Sequence, residues 1–405
     1  MYVRPARSTM GVRKEVAVIA RTRTVAILGS PTLTNEFLAR ELLARGIEAR
    51  VLWPNEAVEL LRPGDVALVR LDVLPSLDGV EPGLELVPEL ERSGARVLNR
   101  PEALLAAHDK LETARLLAAA GLPHPRTRHI PTEGALPELT FPLVLKPRYG
   151  SWGADVFRCE TREDLDRALE SARRRPWFRR HGALAQAFVP HGGRDLRLVV
   201  AGGCVVGAAV RVAAPGEWRT NLALGARLEP ALPPVRARAV ASAAARALGA
   251  DLVGIDLLPD GEGGYVVLEL NGAVDFDYRY ELPARDLYSE LAAALELEEL
   301  AALPRARSGW SPMLRALHDA RRQAKEGDVT QKKSTRARPG DVVVISGHTV
   351  GDTPRLGEIV EVLGEAGHEH YRVRWEDEHE SIFYPGNDAV VRRRERAPRA
   401  AKAAR

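Results

Sequence analysis

Phe141-Pro-Leu-Val-Leu-Lys146-Pro-Arg-Tyr-Gly150-Ser-Trp-Gly153-Ala-Asp-Val156 is the stretch around which the chain is organised. Leu143, Val144 and Leu145 form a short apolar strand between two prolines, with Lys146 at its end. A glycine-rich loop of Gly150, Ser151, Trp152 and Gly153 follows, and a second strand is expected through Val156 and Phe157. A lysine on a strand, beside a loop whose backbone N–H groups can close around an anion, suits a polyphosphate. Glycine lets the backbone approach phosphate closely. The stretch is not a P-loop, because Gly-Lys-Ser/Thr is missing and the lysine precedes the loop. Taken alone it also reads as a plain β-hairpin.

The companion signal lies downstream. Two strands, 252–258 and 265–270, are expected on either side of Asp260-Gly-Glu-Gly-Gly264. The first carries Asp256; the second carries Glu269 and runs into Asn271. Residues two apart on a strand share a face, so Glu269 and Asn271 project together and Asp256 meets them from the neighbouring strand. Both carboxylates sit in apolar runs, where an unpartnered charge is costly. A hard cation resolves that cost, and Mg²⁺ takes one or two carboxylates plus substrate phosphates. Ion pairs with arginines such as Arg211 or Arg219 are the other solution.

Upstream, 24–29 reads as a buried strand and 35–45 as a helix with Phe37, Leu38 and Leu42 on one side. Further strands are expected at 48–53, 66–73 and 95–99, an alternation that argues a small parallel α/β unit. It lacks GxGxxG, so no dinucleotide site is read there. Residues 101–121 read as one helix from Pro101 to Gly121, with Lys110 on it as an exposed surface lysine. A polar helix at 162–175, a strand at 184–189 and a hairpin around Gly202-Gly203 follow, then a helix at 235–248.

Length and composition bound the answer. A chain of 405 residues with 45% hydrophobic and 28% charged residues is an ordinary globular protein of several domains. No apolar run approaches the roughly 20 residues of a membrane helix. Residues 1–23 lack the apolar segment of a signal peptide, and Met10 offers a second start. Cys159 and Cys204 form no CxxC, which fits a reducing, cytoplasmic home. The net charge of +3 conceals an acidic body between basic ends: residues 1–23 hold six Lys/Arg against one Glu, and 391–405 seven against one. Such tails suit weak nucleic-acid contact or plain solvated ends.

The ordered set of Asp109-Lys110, the Lys146 strand, the Gly150–Gly153 loop, Gln186-Ala-Phe-Val189, Arg-Asp195-Leu-Arg197, Trp-Arg219-Thr-Asn221, Gly-Ile-Asp256 and Leu-Glu269-Leu-Asn271 resembles the ATP-grasp ligases. The nearest branch is the RimK and LysX type, which joins an amino acid to a peptide or carrier-protein carboxylate. The resemblance covers about residues 24–300. It implies an α+β chain: an ATP-grasp fold preceded by a Rossmann-like α/β domain. It implies that Lys110 and Lys146 bind ATP, that Gly150–Gly153 cover the phosphates, and that Gln186, Ala187, Phe188 and Val189 hold adenine largely through backbone groups. Asp195 matches a nucleotide-contacting acid, and Arg219 and Asn221 match an element near the phosphates. Asp256, Glu269 and Asn271 match ligands of Mg²⁺ or Mn²⁺, with two ions expected. Ala187 departs from the family, which usually has Glu there. Arg211 is the candidate stabiliser of the tetrahedral intermediate, with Lys146 and Arg219 beside it, or else a structural partner of Asp256 or Glu269.

Beyond residue 300 the character changes. Residues 338–393 resemble a small SH3-like β-barrel family of unknown function, with Pro339-Gly-Asp, Gly357-Glu-Ile-Val-Glu-Val, Val373-Arg-Trp and Pro385-Gly-Asn-Asp. His368 and His370 there read as a solvated turn before a metal site. The expected domains are a disordered N-terminus at 1–23, an α/β domain at 24–100, the ATP-grasp domain at 101–303, a charged linker at 304–337, the barrel at 338–393 and a basic tail at 394–405. Together these predict an ATP-dependent carboxylate–amine ligase, homo-oligomeric and away from membranes. One rival is a ligase for a small dipeptide-like metabolite. The other is a degenerate nucleotide-binding protein whose barrel adapts to nucleic acid or peptide; the intact lysine and carboxylate set argues against it.

Overall fold

Thr24–Leu28 form β1, five buried residues in a row, as befits a parallel strand covered on both faces. It lies between β2 (Glu48–Leu52) and β3 (Val66–Val69), with β4 (Arg96–Leu98) beyond, and every pairing is parallel. Helices α1 (Leu33–Ala44), α2 (Pro54–Leu60) and α3 (Val87–Arg92) connect them, giving the expected α/β unit. The third strand stops at Val69 and not at residue 73. Arg70 then turns inward, donating from Nε to Asn35 Oδ1 at 2.6 Å and from Nη2 to the Val274 carbonyl at 2.7 Å. The computed structural model describes residues 22–301, 338–345, 355–363, 370–375, 380–383 and 389–392. The tails and the 304–337 segment lie outside the described residues.

The helix expected over 101–121 is two helices. α4 (Pro101–His108) and α5 (Lys110–Ala119) break at Asp109, whose backbone is extended at φ −85° and ψ 97°. The Asp109 carboxylate caps α5 by accepting from the Leu111 and Glu112 amides, and it also accepts from Arg148 Nε at 2.7 Å. A side-chain acceptor at the N-cap replaces the missing intrahelical bonds. The break ties the start of α5 to the Lys146 strand, so Lys110 faces inward and is not a surface lysine.

Two antiparallel sheets complete this part. One has the order β5 (Thr127–Ile130), β8 (Ala183–Ala187), β6 (Leu143–Pro147), β7 (Phe157–Cys159), covered by α6 (Arg162–Arg173) and α7 (Pro176–His181). The other runs β11 (Arg227–Pro230), β10 (Cys204–Val212), β9 (Arg194–Ala201), β12 (Leu252–Pro259), β13 (Tyr265–Asn271), and packs on α8 (Val235–Leu248). Ala237, Ala241, Ala244 and Ala245 of α8 are fully buried, and their small side chains let the helix lie close to the sheet. α9 (Leu287–Ala294) closes the part. Among the described residues no helix is long and apolar enough to cross a membrane.

The chain divides into Met1–Trp310 and Ser311–Arg405. In the second unit, β14 (Val342–Ile345), β15 (Arg355–Leu363), β16 (His370–Trp375), β17 (Glu380–Phe383) and β18 (Ala389–Arg392) pair antiparallel in the order β17-β16-β15-β14-β18. Val343, Ile359, Tyr371 and Val373 are buried. Among the described residues the pairings make one five-stranded antiparallel sheet. His370 opens β16, while His368 lies outside the described residues.

Candidate active site

Lys146 sits on a strand buried at every position, and it is itself only 5% exposed. Its Nζ donates to Gln186 Oε1 at 2.7 Å from the adjacent β8. Burial lowers its pKa to about 8, with Lys110 pushing the same way and Glu269 and Asp256 opposing. Lys110 Nζ donates to the Gly150 carbonyl at 2.5 Å and lies 3.5 Å from Glu269 Oε2. Two ammonium groups and one carboxylate therefore meet at the mouth of the glycine loop.

The loop is held at both ends. Arg148 is bound to Asp109, while Asp155 accepts from Arg175 Nε at 2.8 Å and from Trp177 Nε1 at 2.7 Å. Between them Trp152 and Gly153 adopt positive φ, +57° and +73°. A Cβ on Gly153 would stand 2.7 Å from Asn221 Oδ1, so glycine is needed there for space as well as for φ. Arg219 Nη1 donates to the Gly153 carbonyl at 3.0 Å, and its guanidinium is also paired with Glu217.

One face of the second antiparallel sheet carries a row of charges. Register opposes Arg211 to Asp195, Asp256 to Arg197, and Asp256 to Glu269. Asp256, 1% exposed, accepts from Arg197 at 2.7 and 2.8 Å and from Arg211 Nη2 at 2.6 Å. Burial opposes its ionisation, but Arg197 and Arg211 outweigh it and hold the carboxyl below the usual range. The arginine pairing left open by the sequence is thus present for Asp256, through Arg211 and not Arg219. Arg211 also donates to Asp195, whose second oxygen accepts from Thr220 Oγ1 at 2.6 Å. Asn271 Oδ1 accepts from the Ala273 amide at 3.1 Å.

Several of these groups line a cleft between the two antiparallel sheets. Lys110, Lys146, Gly150–Gly153, Gln186–Val189, Arg211, Arg219, Asn221 and Glu269 line it. Asp195, Asp256 and Asn271 do not. The Asp195 carboxylate accepts from Arg211 and Thr220. The amides of Ala187 and Phe188 donate to the Arg126 and Pro142 carbonyls.

Sequence reasoning missed the aromatic wall. Phe188 meets Trp218 edge-on at 5.9 Å and His191 at 5.9 Å, with Arg158 over its ring at 4.0 Å. Trp218 and His191 both line the cleft. Trp218 lay within a motif already noted, beside Arg219. His124, which reaches Gln186 from outside the cleft, gave no signal.

Residues 107–294 match the RimK-like ATP-grasp domain, and residues 335–391 match a domain of unknown function, DUF1918. The chain is 32% identical over 229 residues to the tetrahydromethanopterin:alpha-L-glutamate ligase of Methanosarcina acetivorans, covering 50% of this chain and 68% of that protein. It is 30% identical over 223 residues to beta-citrylglutamate synthase B of Homo sapiens, covering 52% of this chain and 56% of that one. The chain therefore spans between about half and two-thirds of the length of these relatives. The structure resembles that of D-alanine–D-alanine ligase from Bacillus anthracis complexed with ATP, with a TM-score of 0.50 and 17% identity. That likeness covers 69% of this chain and 96% of the other, and it is one of fold.

Proposed function

The chain belongs to the RimK-like ATP-grasp family, and from that premise we propose that it activates a carboxylate as an acyl phosphate and joins it to the amine of an α-amino acid. Its relatives are named ligases and synthases, and its class is that of the ATP-dependent ligases that form a C–N bond. The observation that carries the site assignment is the meeting of Lys110, Lys146 and Glu269 under the glycine loop. The same meeting favours a ligase over a degenerate nucleotide-binding protein.

In this reading the two lysines and Arg219 neutralise the phosphates of ATP, and Gly150–Gly153 cover them. The substrate carboxylate attacks the γ-phosphorus, forming a C(O)O–P bond as the bond to ADP breaks. The amine then attacks the acyl carbon, forming the C–N bond as phosphate leaves and the nitrogen loses a proton. Arg211 stabilises the oxyanion of that second step; Asp195 and Asp256 orient its guanidinium. The covering loop keeps water from the acyl phosphate.

ATP-grasp ligases use Mg²⁺ with ATP, and the residues here fit it. Asp256, Glu269 and Asn271 offer only oxygens from one sheet face, the donor chemistry of a hard cation. When bound, it would spread the negative charge of the transferring phosphoryl group. Glu269, on the cleft wall, would be the carboxylate nearest the phosphates to hold it.

L-Glutamate is the amine substrate to try first, because the relatives are named for it. The acceptor is a peptide, carrier protein or small carboxylic acid. Incubating the full chain with ATP, Mg²⁺ and amino-acid pools, with and without candidate carboxylates, tests this. Mass spectrometry is expected to find an amide product in step with ADP and phosphate. Nucleotide binding with no turnover across such pools would count against the ligase.

A further inference from the structure

The buried lysine of the cleft is held by a chain of hydrogen bonds that begins outside it. The segment before β5 runs beside β13: the Val267 amide donates to the Pro123 carbonyl at 2.9 Å, and His124 Nδ1 lies 2.7 Å from the Val267 carbonyl. A backbone carbonyl can only accept, so Nδ1 carries the proton and Nε2 keeps its lone pair. That Nε2 lies 3.3 Å from Gln186 Nε2, which also donates to Thr127 Oγ1 at 3.0 Å. The Thr127 hydroxyl also lies 3.2 Å from His124 Nε2, but it donates its one proton to the Pro125 carbonyl at 2.9 Å, which leaves that lone pair and the hydroxyl oxygen to accept both protons of the Gln186 amide on one side. Its oxygen is turned to the other, where it accepts from Lys146 Nζ at 2.7 Å.

The reverse orientation is unfavourable twice over. It would set an NH₂ group against the ammonium and an oxygen against the imidazole lone pair. Lys146 and Gln186 are 5% and 3% exposed, so water is poorly placed to repair either mismatch.

We infer that His124 is a positioning residue for Lys146: its tautomer, set by the Val267 carbonyl, fixes the Gln186 amide, and that amide fixes the ammonium in the cleft. Val267 precedes Glu269 by two residues on β13, so the same imidazole ties the strand carrying the cleft carboxylate to the strands carrying Gln186 and Lys146. Burial pushes the His124 pKa down to about 4, with Lys146 adding to the effect, so the ring stays neutral near pH 7. The groups that face Lys146 are Gln186 on β8, Glu269 on β13, Lys110 on α5 and Asp256 on β12. The inference rests on the proposed role of Lys146 toward ATP.

The test compares His124→Leu, His124→Gln and Lys146→Ala in the full chain, reading KM for ATP, kcat, the pH profile of kcat/KM and the thermal midpoint. His124→Leu is expected to raise KM for ATP about tenfold, the effect of losing one fixed hydrogen bond to a charged group. Its kcat should change less than about threefold, and the alkaline limb of its profile should move to lower pH. His124→Gln, which can return an acceptor near Nε2, should restore both. Lower thermal midpoints with unchanged KM and pH profile would make His124 purely structural and overturn the inference. Should His124→Leu not fold, Thr127→Val removes the other acceptor of the same amide; it is expected to move KM and the alkaline limb the same way, and wild-type values there overturn the inference too. A Lys146→Ala enzyme with wild-type KM would defeat the assignment of Lys146 itself, which is a separate outcome.

Discussion

Asp256 and Glu269 are register partners on neighbouring strands, yet they are held by different cations. Asp256 is bonded to Arg197 and Arg211, whereas Glu269 lines the cleft 3.5 Å from the Lys110 ammonium. The pair is divided: Asp256 neutralises two arginines, and Glu269 lies on the cleft wall.

That division predicts unequal mutational effects. Glu269→Ala should keep the fold and lose at least ~10²-fold in ADP formation, the scale for removing one charge-stabilising group. Its Mg²⁺ or Mn²⁺ requirement should shift to higher concentration. Asp256→Ala should also lower the thermal midpoint, because two buried guanidinium groups lose a partner, a loss worth roughly 3–5 kcal/mol in buried pairs. Metal titrations of ADP release beside thermal melts check both; equal stability losses in the two variants would contradict the division.

The depressed pKa of Lys146 predicts an alkaline limb. Burial brings it to about 8, so the free enzyme loses this positive charge as pH rises through that value. Affinity for ATP should be full below it and fall above it. A kcat/KM profile for ATP that stays flat from pH 7 to 9.5 would remove Lys146 from the phosphate site.

Two buried imidazoles predict acid sensitivity. Burial lowers His108 and His124 to about 4, from about 6.5 for a free imidazole. The unfolded chain therefore binds more protons between these values. Stability is complete above about 6.5 and declines as pH falls toward 4, by on the order of 2 kcal/mol per imidazole at pH 5. Urea unfolding midpoints at pH 7 and pH 5 measure this, and His124→Gln should lessen the difference.

Gly153→Ala should weaken ATP binding with little change in global stability. The new methyl would stand 2.7 Å from Asn221 Oδ1 in a backbone with φ +73°, which displaces the loop from Arg219 and Asn221. Protease protection of the loop on adding ATP should diminish in step with the rise in KM. Wild-type values for both would show that the loop closes in another way.

A chain ending at Trp310 should fold and still release ADP, since that boundary separates the two units. If the C-terminal unit recruits the acceptor, removing it raises the acceptor KM and leaves kcat nearly unchanged. Steady-state kinetics with both substrates decide this; a fall in kcat at saturating acceptor would refute recruitment.

The sequence by itself determined what local chemistry can settle. Alternating and continuous apolar runs marked most strands, glycines marked the turns, and the 260–264 turn alone brought Asp256 opposite Glu269. Lys146 and its loop were legible for the same reason: strand, lysine and glycines are adjacent in the chain. Only the tertiary structure decided the rest. The break at Asp109 depends on Arg148, which is distant in sequence, so helical periodicity ran through it unmarked. The partners of Asp256 come from β9 and β10, and strand order across a sheet is not written in the pattern of any one strand. His124 carries no periodic or motif signal at all. Its bearing on Lys146 arises because three separate segments converge on one buried amide, and only packing brings them within hydrogen-bond reach.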